Sequence, residues 1–151
     1  MRTLSSLSPD HTYALGLALG RAAPPGAIVA LIGDLGAGKT LLAQGIAAGL
    51  GVPGPVQSPT FVVAQEHPDG RLPLVHADLY RVESAAELAQ IGLDDRLDGV
   101  TVVLVEWADR FPGLLPDDHL AVRLLHAGGG RRVEIDARGP SAAAWLEAAD
   151  V

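Results

Sequence analysis

The chain has 151 residues, a formal charge of -7 and no cysteine. That length suits one domain with a core of its own, so residues 1–151 are expected to form a single unit, and the missing thiols exclude disulfides, thiol catalysis and thiolate metal sites. The acidic balance argues against a generic grip on nucleic-acid phosphates, which draws on clustered Lys and Arg. The opening "MRTLSSLSPD" lacks a signal-peptide apolar run, and no stretch approaches the roughly 20 apolar residues that span a bilayer, so a reducing cytoplasm with no membrane contact is the expected setting.

Ser8, Pro9 and Asp10 read as a helix N-cap with proline at the first helical position, opening a helix that "AAPPG" stops near Ala23. "AIVALIG" (27–33) is a short apolar run of the kind buried in a parallel sheet. "KTLLAQGIAAGLG" carries apolar residues at helical spacing and closes on Gly51. Beyond the Pro-rich turn "VPGPVQSP", the runs "TFVVAQE" and "LPLVHADLY" predict two strands joined hairpin-fashion by "HPDGR". "SAAELAQIGL" predicts a helix with Ser84 and Glu87 at capping-box spacing. "VTVVLVEW" is a second buried strand, "HLAVRLLHAGGGRRVEIDAR" a hairpin with a Gly-rich tip, and "PSAAAWLEAA" a terminal helix. The expected fold is α/β, a single three-layer domain with a central mixed sheet flanked by helices.

"GDLGAGKT" (33–40) matches the phosphate-loop pattern G-x-x-x-x-G-K-[ST], with a buried strand before it and a helix opening within it. Gly33, Gly36 and Gly38 let the backbone turn its N–H groups toward phosphate oxygens, and the helix N-terminus adds its positive end. Asp34, Leu35 and Ala37 complete the loop. Lys39 is placed to reach the β- and γ-phosphates and the Thr40 hydroxyl to ligate Mg²⁺, so ATP or ADP with Mg²⁺ is the expected cofactor set. The same glycines also fit a strand-to-helix turn that holds nothing. Lys39 is the sole lysine of the chain, which suits a charge kept for chemistry and equally suits GC-rich coding that replaces Lys by Arg.

A second acidic element is expected at a strand end near the metal. "VVLVEW" supplies Glu106 there, a position that a solvated strand-end glutamate would also occupy. Trp107 reads as a core or lid aromatic. The chain has no asparagine, so the Asn-Lys-x-Asp motif that reads guanine is absent; an ABC-type signature is absent too. A small-molecule kinase would need an arginine-bearing lid, for which "GGGRR" (128–132) is the sole candidate.

"SPTF" (58–61), "HADLYR" (76–81) and "VEW" (105–107), in this order after "GDLGAGKT" and followed by "LPDD", resemble the TsaE (YjeE) family of bacterial P-loop ATPases from about residue 8 to about 138. The resemblance implies an accessory ATPase in the threonylcarbamoylation of adenosine 37 in tRNAs that read codons starting with A. It implies TsaD and TsaB as partners, contact with tRNA through that complex alone, and no group transfer by the protein itself. By the same resemblance Thr60 is a switch-like threonine near the γ-phosphate and metal, Asp78 the acid that orients or deprotonates the attacking water, and Glu106 the magnesium-associated glutamate, with Trp107 following it. Read without the family, Asp78 fits an end-of-strand Asp capping the next turn. Gly130 and Arg131 match a hairpin that approaches the nucleotide, and His11 an N-terminal contact. Where the family usually has a second Thr, this chain has Leu41, which removes one hydroxyl from the α-phosphate and costs about 0.5 to 1.5 kcal/mol of binding. Besides the ATPase, a nucleotide-sensing module that hydrolyses little stays open, with a small-molecule kinase more distant.

Overall fold

The computed structural model describes residues 1–34, 36–54, 56 and 63–151. Leu35 and the "SPTF" stretch with Thr60 lie outside the described residues.

Seven strands form one mixed sheet: β1 (Arg2–Ser6), β2 (Ile28–Gly33), β3 (Ala64–His67), β4 (Leu74–Asp78), β5 (Val102–Glu106), β6 (His119–Ala127) and β7 (Gly130–Arg138). Their order is β1-β7-β6-β2-β5-β4-β3. The centre is parallel, with β2 between β6 and β5 and β4 beyond β5; β1, β7 and β3 pair antiparallel at the flanks. Four α-helices, α1 (Pro9–Ala22), α2 (Lys39–Gly49), α3 (Ala85–Ile91) and α4 (Pro140–Ala149), and two 3₁₀ turns, Leu93–Arg96 and Ala108–Arg110, complete the described elements.

Alternation along the strands sorts side chains into two cores. Val29, Leu31, Val102, Leu104, Leu120 and Leu124 join Leu19, Leu42, Ile46 and Trp145 of α1, α2 and α4 on one face. Ala30, Val75, Ala77, Val103 and Val105 meet Leu93 and Ala108 on the other, where α3 adds the partly buried Leu88 and Ile91. The mixed sheet with helices on both faces is the fold expected from the sequence.

Helix starts follow the expected chemistry. Ser8 caps α1 by accepting from the His11 N–H, with Pro9 at the first helical position. Ser84 caps α3 by accepting from the Glu87 N–H, and the Glu87 carboxylate returns to the Glu83 N–H at 3.3 Å. Helix α2 is closed by Leu50 as its C-cap, with Gly51 just beyond in the left-handed region. Strand β1 was not anticipated: "RTLSS" is mostly polar, and at the sheet edge Leu4 is its one apolar side chain against the core, while the buried Ser6 is satisfied by the Thr12 hydroxyl at 2.7 Å.

Helices α1 and α2 cross with their backbones nearly touching. A Cβ on Gly20 would run into the Ile46 carbonyl oxygen, and one on Gly45 into that of Tyr13. This glycine-lined crossing sets the start of α1 beside the start of α2, where the glycine-rich loop ends.

Candidate functional site

The loop leaves β2 at Gly33 and reaches α2 through Gly36 (φ 77°) and Gly38 (φ 107°). Residues with a Cβ rarely adopt these angles, so the turn depends on glycine at both. Gly38 caps α2 without a side-chain bond, and the first helical turn holds no acidic residue. The N–H groups and positive dipole end of α2 therefore have no neutralising side chain from their own helix.

Lys39 is 5% exposed. Its Nζ donates back to the carbonyls of Gly33 and, at 2.9 Å, of Asp34. The Trp107 ring covers it, with Nζ 4.1 Å from the ring centroid. Burial pushes the ammonium pKa below its ordinary value, while Glu106, Asp78, Asp34 and Asp109 oppose that shift by their charge. Trp107 adopts a left-handed backbone (φ 61°) as β5 ends and a 3₁₀ turn, Ala108–Arg110, begins. Its N–H donates to the Leu31 carbonyl at 3.1 Å, and its ring lies 5.0 Å from that of Tyr80.

The two acids meet at the strand ends. Asp78 of β4 and Glu106 of β5 are parallel register partners, and Glu106 also pairs with Leu31 of β2, two residues before the loop. Glu106 is 2% exposed, so it is no solvated strand-end glutamate. Its Oε2 lies 2.6 Å from Nε2 of the fully buried His76. Asp78 Oδ1 accepts from the Tyr80 N–H at 3.0 Å, so Asp78 does cap the next turn while standing beside Glu106. The Leu79 N–H donates to the Glu106 carbonyl at 3.1 Å and ties the two strand ends together.

Arg131, at the start of β7, faces the same loop. Its guanidinium donates to the carbonyls of Ala37 and Gly36, each at 3.0 Å, and to that of Gly130 at 2.9 Å. A cavity of about 180 Å³ lies between the start of α1, the loop and the hairpin tip, lined among others by Ser8, Thr12, Gly38, Leu41, Gly130 and Arg131. Leu41, where the sequence suggested a missing hydroxyl, is thus a cavity wall. His11 is exposed, its Nδ1 accepting from the Leu7 N–H at 3.3 Å, and it is not among the lining residues; Thr12, with its hydroxyl 2.7 Å from that of Ser6, is.

The structure thus brings Lys39, Asp78, Glu106 and Trp107 together at one end of the sheet, with Thr40 at the second position of α2 and Arg131 behind the loop. His76 and Tyr80 also stand at this end of the sheet, though no motif singles them out in the sequence. A signal existed for His76: it stands two residues before Asp78 on a strand, and period 2 puts both on the same face.

An α/β domain with a glycine-rich loop between a central strand and an uncapped helix is the class these features define. The family model described as "Threonylcarbamoyl adenosine biosynthesis protein TsaE" matches residues 6–133. The tRNA threonylcarbamoyladenosine biosynthesis protein TsaE of Bacillus subtilis is 42% identical over 127 residues, covering 84% of this chain and 79% of that protein. Its namesake from Nostoc is 39% identical over 131 residues, covering 83% and 80%. The crystal structure of Bacillus subtilis YdiB superposes with a TM-score of 0.86 at 34% identity, over 99% of this chain and 93% of that one. The chain belongs to the TsaE family. No helix among the described residues is long and apolar enough to cross a membrane.

Proposed function

We propose that the protein binds and hydrolyses ATP with Mg²⁺, and that it does so in the cytoplasm on a TsaB-TsaD complex engaged in tRNA threonylcarbamoylation. The observation that carries this reading is the uncapped N-terminus of α2 with Lys39 on it and the Asp78–Glu106 pair beside it. Such an end, opened by glycines at positive φ, is a ready anion site, and a triphosphate chain suits it.

The donor set fits magnesium. Among the described residues no three His, Cys, Asp or Glu side chains gather as a self-sufficient cage. Mg²⁺ seldom uses one: it takes one or two protein oxygens and completes its shell with phosphates and water. The Thr40 hydroxyl and the Glu106 carboxylate are hard oxygen donors of the right type. When bound, the metal would neutralise charge on the β- and γ-phosphates.

The chain's own groups have distinct tasks in this reading. Loop N–H groups hold phosphate oxygens, and the Lys39 ammonium exchanges the Gly33 and Asp34 carbonyls for the nucleotide. Asp78, at the partner position to Glu106, orients the attacking water. The cavity beside Thr12 and Leu41 takes the base or sugar, and Trp107 shields Lys39 from solvent. Lacking an asparagine-based guanine reader, the site prefers ATP and ADP to GTP and GDP.

Slow turnover by the isolated protein follows from where the nearby guanidinium groups are held. Arg131 is committed to the carbonyls of Gly36, Ala37 and Gly130, and Arg110 to those of Leu79 and Tyr80. Arg81 is exposed. A positive group delivered by a partner is worth about 10³ to 10⁵ in phosphoryl-transfer rate. The test is steady-state phosphate release by the protein alone and then with added TsaB-TsaD complex. Strong acceleration is expected; fast release that saturating partner leaves unchanged would overturn partner activation, and no ATP binding at all would overturn the whole reading.

A further inference from the structure

His76 is fully buried, and its Nδ1 has no hydrogen-bond partner among the described residues. A buried imidazole with an unsatisfied nitrogen is costly, and an apolar side chain would fill the same space without that cost. The ring's polar contact is Nε2 to Glu106 Oε2 at 2.6 Å. His76 and Glu106 stand on adjacent parallel strands two residue pairs apart along the strand, since His76 pairs with Leu104 and Asp78 with Glu106. With the carboxylate as acceptor, the Nε2–H donates and fixes one of its two oxygens.

We infer that His76 is the positioning residue for Glu106: it holds the carboxylate in one orientation so that Glu106 meets the nucleotide's magnesium without first being ordered. The inference rests on the reading of Glu106 as a metal ligand. His76 touches neither nucleotide nor metal and acts through the carboxylate alone. Residues that orient a ligating group in this way change metal affinity by about 10- to 100-fold when removed. A histidine kept for packing alone would have no such effect.

The experiment measures Mn²⁺ binding to the ADP complex by electron paramagnetic resonance, and ADP binding in EDTA by calorimetry, for wild type, His76→Leu, His76→Gln and Glu106→Gln. Expected for His76→Leu is Mn²⁺ affinity reduced about 10- to 100-fold with metal-free ADP affinity unchanged. In His76→Gln most of the loss is recovered, because the amide N–H₂ reaches where Nε2–H donated. Unchanged Mn²⁺ affinity in a folded His76→Leu, with Glu106→Gln weakened, would overturn the role of His76 and leave that of Glu106 standing. Unchanged Mn²⁺ affinity in Glu106→Gln would overturn the reading beneath it. Equal losses of Mn²⁺ and metal-free ADP binding in His76→Leu would mark a structural defect and overturn the inference. Should His76→Leu not fold, nitrogen-15 histidine spectra of the wild type decide. Adding Mg²⁺ to the ADP complex should move the His76 Nε2–H resonance beyond the shift caused by ADP, and a resonance that stays in place would overturn the proposal.

Discussion

Asp78 and Glu106 face each other as parallel partners at the ends of β4 and β5, tied by the bond from the Leu79 N–H to the Glu106 carbonyl. Two carboxylates side by side would repel; here Lys39 stands close enough that both pull its pKa upward against burial, and His76 takes one Glu106 oxygen. In the proposed reading one acid of the pair serves the metal and the other the attacking water.

Replacing either acid should therefore separate binding from turnover. Glu106→Ala and Asp78→Asn each leave the loop backbone and Lys39 in place, so ADP affinity in EDTA should change less than about 3-fold, below 1 kcal/mol. Partner-stimulated phosphate release should fall by about 10² or more, the scale of losing one group that acts mainly in the transition state. Calorimetry beside a phosphate-release assay measures both; undiminished hydrolysis in either variant would remove that residue from the mechanism.

Lys39→Ala should lose binding as well. In the structure the ammonium sits on the Gly33 and Asp34 carbonyls under Trp107, already stripped of most of its water, so little further desolvation is needed to meet a phosphate. A hydrogen bond to a charged group contributes about 1.5 to 3 kcal/mol, or roughly 10- to 150-fold in affinity. Circular dichroism checks that the variant folds, and retained ATP affinity in a folded Lys39→Ala would show that the lysine serves the loop's own carbonyls and not a nucleotide.

The sequence made the loop, its flanking strand and helix, and Glu106 legible because each depends on local pattern: glycines at fixed offsets, an apolar run, an acid at its end. Asp78 carried two readings, turn cap and water-orienting acid, and the Tyr80 N–H bond shows that the first is satisfied without removing the side chain from the site. His76 stayed hidden because its significance lies in which strand β4 pairs with, and that is a property of topology. Strand β1 escaped for a similar reason. Arg131 was placed near the nucleotide by family resemblance, but its bonds to the Ala37 and Gly36 carbonyls arise from a hairpin packed against a loop 94 and 95 residues away in the chain, beyond any local pattern.

The α1–α2 crossing is the fold's least forgiving contact near the site. Gly20→Val would place side-chain atoms where the Ile46 carbonyl lies, and Gly45→Val where that of Tyr13 lies. Because the obstacle is backbone, relief requires the helices to separate, and a cost of about 1 to 3 kcal/mol or more is expected for each. Urea denaturation measures it. The same separation pulls the start of α1 away from the cavity beside Thr12, so ADP affinity should fall in step with stability. A substitution with undiminished stability would mean the crossing is looser than its geometry indicates.

Arg131 provides the sharpest division between holding the nucleotide and holding the loop. All three of its bonds run to backbone carbonyls, two of them on the loop, and a planar fork is needed to reach Gly36 and Ala37 together. If the guanidinium acts by fixing the loop in its phosphate-ready form, Arg131→Ala should weaken ADP and ATP by the same factor, about 10-fold or ~1.4 kcal/mol, since the loop must then be ordered on binding. Arg131→Lys should rescue little, because an ammonium cannot span both carbonyls in the same geometry. If instead Arg131 swings onto the γ-phosphate, ATP would lose far more than ADP, and lysine would restore part of the loss as a point charge. Calorimetric titration of both nucleotides against wild type and the two variants separates these outcomes; a loss confined to ATP would refute the loop-holding role.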